Sequence, residues 1–349
     1  MNKIYIFIVL LVVIGGLNTS CKHSVSKSEI LTKSIDSLLE VNKDKPFNGI
    51  ILIANDGKTG YLKITGFSDF DEKTPFKIND RFVVGSVSKQ FTAAVILQEY
   101  DNGHLDLHVP ISKYLPDLQE CWADTVTIHH LLTHTHGIVT LDKPTLFSVG
   151  TQYDYSQIGY DLLAKIAEKT SGKSFIKLSD ELFKKCNMNN TFHPEKNVEK
   201  NLVKGYIEND GGKLEFTDES LNQYPAAGTF ISSAEDLVLW NRLFFEGQLF
   251  KTTTFGYMTT KQDKAIRNHP IFGITEYGYG ITVDDKDEII QWGQTGYAPG
   301  FASMNFYFPQ KKVSVVVLEN VIYDAEDINK TYYYHYQILK LVREVLPTI

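Results

Sequence analysis

Ser86 and Lys89 stand three residues apart in Gly85-Ser86-Val87-Ser88-Lys89, a spacing that puts both side chains on one face of a helix. A serine hydroxyl is a weak nucleophile near neutral pH and needs a base beside it. A lysine serves when burial lowers its pKa. Here the lysine would fall in the first turn of an apolar helix, where the dipole's positive end and lost hydration both disfavour its charged form. The same helix end offers N–H groups for an oxyanion. Ser88 competes as a hydroxyl but faces elsewhere on a helix. Ser-x-x-Lys alone is a weak pattern; its weight comes from the Phe82-Val83-Val84-Gly85 approach and the apolar residues behind it.

Two further stretches carry chemistry. Tyr153-Asp154-Tyr155-Ser156-Gln157-Ile158-Gly159-Tyr160 is rich in tyrosine, and a buried tyrosine beside a cation can act as a base. Read alone, it is better taken as a set of core or surface aromatics at a helix start. Trp292-Gly293-Gln294-Thr295-Gly296-Tyr297 reads as the glycine-marked end of a strand, where a backbone can approach a ligand closely; a plain turn is the blander reading. His129, His130, His134 and His136 form a fourth cluster, and clustered imidazoles can bind zinc. The cluster lacks the Glu of His-Glu-x-x-His, which disfavours a metalloprotease.

Together and in this order, these stretches resemble the class C β-lactamase-like serine hydrolases of the serine β-lactamase and penicillin-binding-protein superfamily. The elements of that branch are Ser-x-x-Lys, Tyr-x-Asn and Lys/His-Thr-Gly. The similarity extends through RFVVGSVSKQFTAAVI, LDLHVPISKYLPDL, TIHHLLTHTHGI, YDYSQIGYDLLAKIAEKTSG, AAGTFISSAEDLVLW and GQTGYAPGFASMNFYFP, over about residues 30–345. The resemblance implies that Ser86 is the acylated nucleophile, Lys89 its activator and Tyr155 the proton relay. It implies an oxyanion hole from the backbone N–H groups of Ser86 and Tyr297, and substrate binding by Gln157, Gln294, Thr295 and Gly296. It implies no metal or organic cofactor, and a turn rather than a metal site at the histidines. Two residues depart from the pattern. Gln157 replaces the usual Asn and adds a methylene. Gln294 replaces a Lys or His that often helps bind a substrate carboxylate, and cannot be a cation; strongly anionic substrates are therefore disfavoured on this reading.

Helices are expected at Ser28–Val41, Ser86–Tyr100, Asp161–Lys169, Ser174–Phe183 and Thr331–Val345. The Ser86–Tyr100 helix is apolar on nearly every side and should be buried all round. A hairpin is expected from Asn48–Ala54 and Tyr61–Thr65 around Asn55-Asp56-Gly57. A late meander is expected from Gly278–Val283, Glu288–Gln291, Ala302–Phe308 and Val313–Leu318. The fold class is α+β, β-lactamase/transpeptidase-like by resemblance. An antiparallel sheet is flanked by helices, with a mainly helical subdomain inserted. The sheet part spans about 29–104 and 225–349, the insert about 105–224.

The N-terminus reads as an export signal. Lys3 precedes an apolar run from Ile4 to Leu17 that is short for a spanning helix. Thr19 and Ser20 then lead to Cys21, which resembles a bacterial lipoprotein cleavage site. Residues 1–20 are expected to be the signal peptide, Cys21 the lipidated residue and 21–28 a polar tether. The protein would be exported and lipid-anchored, facing the periplasm. Cys121 and Cys186 could pair or remain free thiols. Acids exceed bases by 42 to 35 with no basic tract, which speaks against nucleic acid as a partner. The expected partners are a substrate with a carbonyl centre and a membrane; the oligomeric state is open. The rival function is a non-catalytic penicillin-binding-like receptor or scaffold lipoprotein, suggested by the two glutamines.

Overall fold

The computed structural model describes residues 26–196, 202–221 and 224–346. The expected signal peptide, Cys21 and most of the expected tether lie outside the described residues. The helices longer than one turn are α1 (Lys27–Val41), α2 (Ser88–Asp101), α3 (Ile128–Thr133), α4 (Ile158–Ser171), α5 (Phe175–Lys185), α6 (Ala234–Phe245), α7 (Thr252–Thr259) and α8 (Tyr333–Val345). The main sheet contains β1 (Gly49–Asn55), β2 (Lys58–Thr65), β3 (Ile266–His269), β4 (Gly273–Tyr277), β5 (Thr282–Asp284), β6 (Gln291–Ala298), β7 (Phe301–Phe308) and β8 (Val313–Glu319).

The strands lie in the order β2-β1-β8-β7-β6-β5-β4-β3, antiparallel at every step. The β1–β2 hairpin turns through Asp56 and Gly57, both at positive φ (47° and 75°), which matches the right-handed twist of the strands it joins. Strand β1 also pairs with β8, Gly49 opposite Glu319. The N-terminal hairpin therefore closes on the C-terminal strands, and the chain from 66 to 265 is inserted between them.

Both faces of this sheet are covered, so its central strands are continuous apolar runs rather than alternating ones. Ile51, Ile53, Val315 and Val317 face Leu31 and Ile35 of α1 and Ile338, Leu339 and Val342 of α8. Their neighbours Ile50, Leu52, Val316 and Leu318 belong to the other core, with Phe91 of α2 and Trp240 of α6. Helix α2 is enclosed on nearly every side, as its composition predicts. Two of its buried polar oxygens are paired: Ser88 Oγ accepts from Phe230 N at 3.1 Å, and Gln90 Oε1 accepts from Trp240 Nε1 at 2.8 Å, while Gln90 Nε2 has no partner among the described residues. Pairing of this kind is what makes a polar side chain tolerable in a core.

The sequence reading needs four corrections. Ser86 sits in a single 3₁₀ turn, Gly85–Val87, and α2 begins at Ser88. The glycine-containing Trp292–Tyr297 stretch does not end a strand but lies inside β6. The expected strand Glu288–Gln291 is not formed: residues 286–288 are a 3₁₀ turn and β6 starts only at Gln291. The expected strand Gly278–Val283 is replaced by β4 and β5 with a turn between. Within the mainly helical region 105–224, Gly205–Glu208 and Leu214–Thr217 form a hairpin whose first strand pairs in parallel with Val321–Ile322. Cys121 is exposed, Cys186 is buried, and both are free thiols.

Candidate active site

The geometry starts with two glycines. Gly85 has a φ of +53°, and a Cβ there would come within 2.4 Å of Tyr297 N. A Cβ on Gly296 would come within 2.0 Å of Val84 O and 2.9 Å of Ser86 N. The 3₁₀ turn and strand β6 thus run backbone against backbone. The β5 ladder stops at Gly293, opposite Thr282, which leaves that edge of β6 open for the turn. Ser303 Oγ, from β7, donates to Val84 O at 2.7 Å and ties the contact. The amides of Ser86 and Tyr297 lie beside one another there, the arrangement an oxyanion site requires.

Lys89 lies one turn along from Ser86 and is fully buried. Its Nζ is 2.5 Å from Gln157 Oε1, 2.8 Å from Ala227 O and 3.4 Å from Ser86 Oγ. The first two partners accept only. A neutral amine satisfies both with its two N–H bonds and points its lone pair at Ser86 Oγ; an ammonium donates to all three. The cradle therefore suits both protonation states. Burial lowers the Lys89 pKa, opposed by Tyr155.

Tyr155 closes the other side. Its ring is partly exposed, but its hydroxyl oxygen is enclosed and makes no hydrogen bond of good geometry. Lys89 Nζ lies 4.6 Å from the ring centroid and Arg267 Cζ 4.3 Å. Burial raises the Tyr155 pKa, but the positive charges of Lys89 and Arg267 outweigh it, and the net shift is downward. His134 packs on the same ring, centroids 4.6 Å apart. Its Nδ1 accepts from Ser156 N at 3.2 Å, so it fixes the approach to Tyr155.

Among the sequence-predicted residues, Ser86, Lys89, Tyr155, Gln157, Gly296 and Tyr297 converge. Gln294 is fully buried behind them, its Nε2 donating to Tyr277 Oη at 2.7 Å. Thr295 is buried, with its Oγ1 3.2 Å from His269 Nε2. The clustered histidines take separate structural parts: His130 Nδ1 accepts from Thr127 N at the start of α3, His136 Nδ1 accepts from Ile138 N, and His129 Nδ1 lies 2.8 Å from Tyr279 Oη. Among the described residues no group of three or more His, Cys, Asp or Glu is arranged to hold a metal ion.

Arg267 is the residue the sequence reading missed. It lies in β3, a short edge strand with no apolar run to announce it, and only the paired hairpin β3–β4 carries it to Tyr155. Replacing the usual cation by Gln294 therefore does not leave Lys89 as the only positive charge here.

The Beta-lactamase family model matches residues 41–339. Penicillin-binding protein 4* of Bacillus subtilis (strain 168) is 24% identical over 90% of this chain and 76% of its own. A beta-lactamase of Providencia stuartii is 25% identical over 85% of this chain and 88% of its own. The structure of a D-amino acid amidase from Ochrobactrum anthropi SV3 superposes with a TM-score of 0.75, at 20% identity, over 91% of this chain and 98% of that one. The antiparallel sheet flanked by helices is the β-lactamase/transpeptidase fold, and the chain belongs to the beta-lactamase family of serine hydrolases.

Proposed function

We propose that the protein is an exported, lipid-anchored hydrolase that cleaves an ester, amide or β-lactam carbonyl through an acyl-enzyme on Ser86. The observation that carries this reading is the placement of Ser86 Oγ 3.4 Å from the buried Lys89 Nζ, whose two other partners only accept.

Ser86 Oγ attacks the carbonyl carbon, and its proton passes to the Lys89–Tyr155 pair. The backbone N–H groups of Ser86 and Tyr297 hold the oxygen that becomes negative. The bond to the leaving group then breaks as Tyr155 returns the proton to it, leaving the acyl group on Ser86. Water adds to the ester by the reverse relay and frees the acid. Gln157 keeps Lys89 in register, and Thr295 and Gly296 form the strand edge along which the substrate lies.

A fluorophosphonate should label wild-type protein at Ser86, read as a peptide adduct by mass spectrometry. Ser86→Ala should lose both the label and turnover, by about 10³-fold or more. Turnover that survives Ser86→Ala would overturn the assignment. The receptor reading predicts binding with no adduct, so the same experiment separates the two. Gln157 and Gln294 suggested that alternative, but Gln157 holds the base in place, which a decayed site would not need.

The anchor is proposed on Cys21. Among the described residues no helix is long and apolar enough to cross a membrane. Cys21→Ser should move the protein from the membrane fraction to the soluble one; retention in the membrane fraction would count against it.

A further inference from the structure

Arg267 is half-buried, its guanidinium lies over the Tyr155 ring, and among the described residues its side-chain donors are unused. Its Cζ lies 4.3 Å from the Tyr155 centroid. Among the described residues no ion pair or side-chain hydrogen bond engages its guanidinium, while its backbone carbonyl accepts from Thr275 Oγ1 at 3.4 Å within the β3–β4 hairpin. Its charge reaches Lys89, His134, Tyr153, Tyr155, Tyr277, His269 and Tyr332. A partly buried arginine without a carboxylate is unusual, because a desolvated charge is costly unless paired.

We propose that Arg267 is the specificity residue of this hydrolase, presenting its free N–H fork to a carboxylate that the substrate carries near the scissile carbonyl. The inference rests on the acyl-transfer reading of Ser86. Two observations and one general property of the guanidinium favour it. Ser86, Tyr155 and Arg267 are all partly exposed and Tyr297 is exposed, so each can be reached from solvent. The guanidinium fork matches a carboxylate in a way a lysine does not. The uncharged Gln294 is turned away onto Tyr277 and cannot compete for the anion. The groups that face Tyr155 from its neighbours are Lys89 on α2, Arg267 on β3, His134 after α3, Tyr153, Tyr160 on α4, Tyr277 on β4 and Tyr332. Two acids act on this group: Asp161, which bears on Lys89 and is itself pushed up by burial to about 6, and Asp154, which bears on Tyr153. Among the described residues neither of these acids forms an ion pair with Arg267, in a chain that is acidic overall.

The test compares two nitrophenyl esters of equal chain length, one ending in a methyl group and one in a free carboxylate. Wild-type protein should prefer the charged ester in kcat/KM. Arg267→Gln should lose that preference by about 10–100-fold, chiefly through KM, and Arg267→Lys should recover part of it. A second readout is the pH profile on the neutral ester. Removing the guanidinium charge raises the pKa of both Tyr155 and Lys89, so the rising limb should move to higher pH in Arg267→Gln and stay in Arg267→Lys. Fluorophosphonate labelling of Ser86 in all three proteins controls for folding. Labelling with no preference in wild type, or with the preference kept in Arg267→Gln, overturns this inference alone. Absence of labelling in wild type overturns the acyl-transfer reading beneath it.

Discussion

Gln157 Oε1 accepts from Lys89 Nζ at 2.5 Å. The longer side chain at a position where the resemblance leads one to expect asparagine is therefore a working part of the lysine's cradle. Gln157 is the residue before α4, whose buried face anchors it. Truncating it to Ala leaves a fully buried amine with one acceptor fewer, a loss of about 1–3 kcal/mol. Gln157→Ala should lower kcat by roughly 10–100-fold, and Gln157→Asn, one methylene short, by less. Steady-state kinetics beside a melting curve would check this; equal activity in all three proteins would remove Gln157 from the cradle.

The relay predicts one pH limb shared by two residues. Burial lowers Lys89, and the neighbouring cations bring Tyr155 down against its own burial. Activity should rise with pH along a limb whose apparent pKa lies below about 10, the ordinary value for both groups, and which belongs to the pair rather than to either residue. Tyr155→Phe removes the only hydroxyl of the pair while keeping the ring beneath Arg267. It should cost roughly 10²–10⁴-fold in kcat with little change in Tm. A pH–rate profile and a thermal melt decide the point; a variant with normal kcat would exclude Tyr155 from proton transfer.

Much of the nucleophile side of the site is legible in the chain. Ser86 and Lys89 are neighbours in sequence, and the apolar run that follows them makes the burial of Lys89 foreseeable. The β1–β2 hairpin is equally plain in Asn55-Asp56-Gly57. The opposite wall is not. Arg267 sits in an edge strand of mixed residues, and nothing local in Ile266-Arg267-Asn268-His269 points toward a tyrosine more than a hundred positions away. Strand β6 hides for a different reason. Its glycines resemble a turn, but they serve the close approach of the Gly85–Val87 turn, a relation only the folded sheet creates.

That close approach can be tested. A methyl group on Gly296 would meet Val84 O at 2.0 Å, and both atoms belong to backbone that is held on its other side. Gly296→Ala should separate the turn from β6 and pull the two oxyanion amides apart, with a fall in kcat of roughly 10²–10³-fold and a lower Tm. Gly256→Ala is the contrast. It lies in helix α7 with nothing within 4 Å of an added Cβ, so it should stabilise by about 0.5–1 kcal/mol. Parallel melts and ester kinetics on both variants separate a local effect at the site from a general dislike of alanine.

Stability should have a maximum between two opposed titrations. His136, His269 and His335 are held by burial at about 3, and His129 at about 4. Each is neutral in the fold but binds a proton near 6.5 once unfolded. Their contribution is fully present above pH 6.5 and is lost as pH falls toward 3–4. Glu319 has the opposite sign. It is buried beside His335, with Oε2 3.4 Å from Nδ1, and burial raises its carboxyl well above the usual 4.5. The pair is thus a neutral acid next to a neutral imidazole. The fold keeps the Glu319 proton that the unfolded chain gives up above pH 4.5, so stability is lost as pH rises from there toward the folded pKa. Glu319→Gln mimics the protonated acid and removes that loss. It should raise Tm by a few degrees, about 2–5 °C, at pH 8 and leave it unchanged near pH 4. Calorimetry of both proteins from pH 4 to 8 tests this, and a lower Tm for Glu319→Gln at pH 8 would mean the carboxylate is charged in the fold.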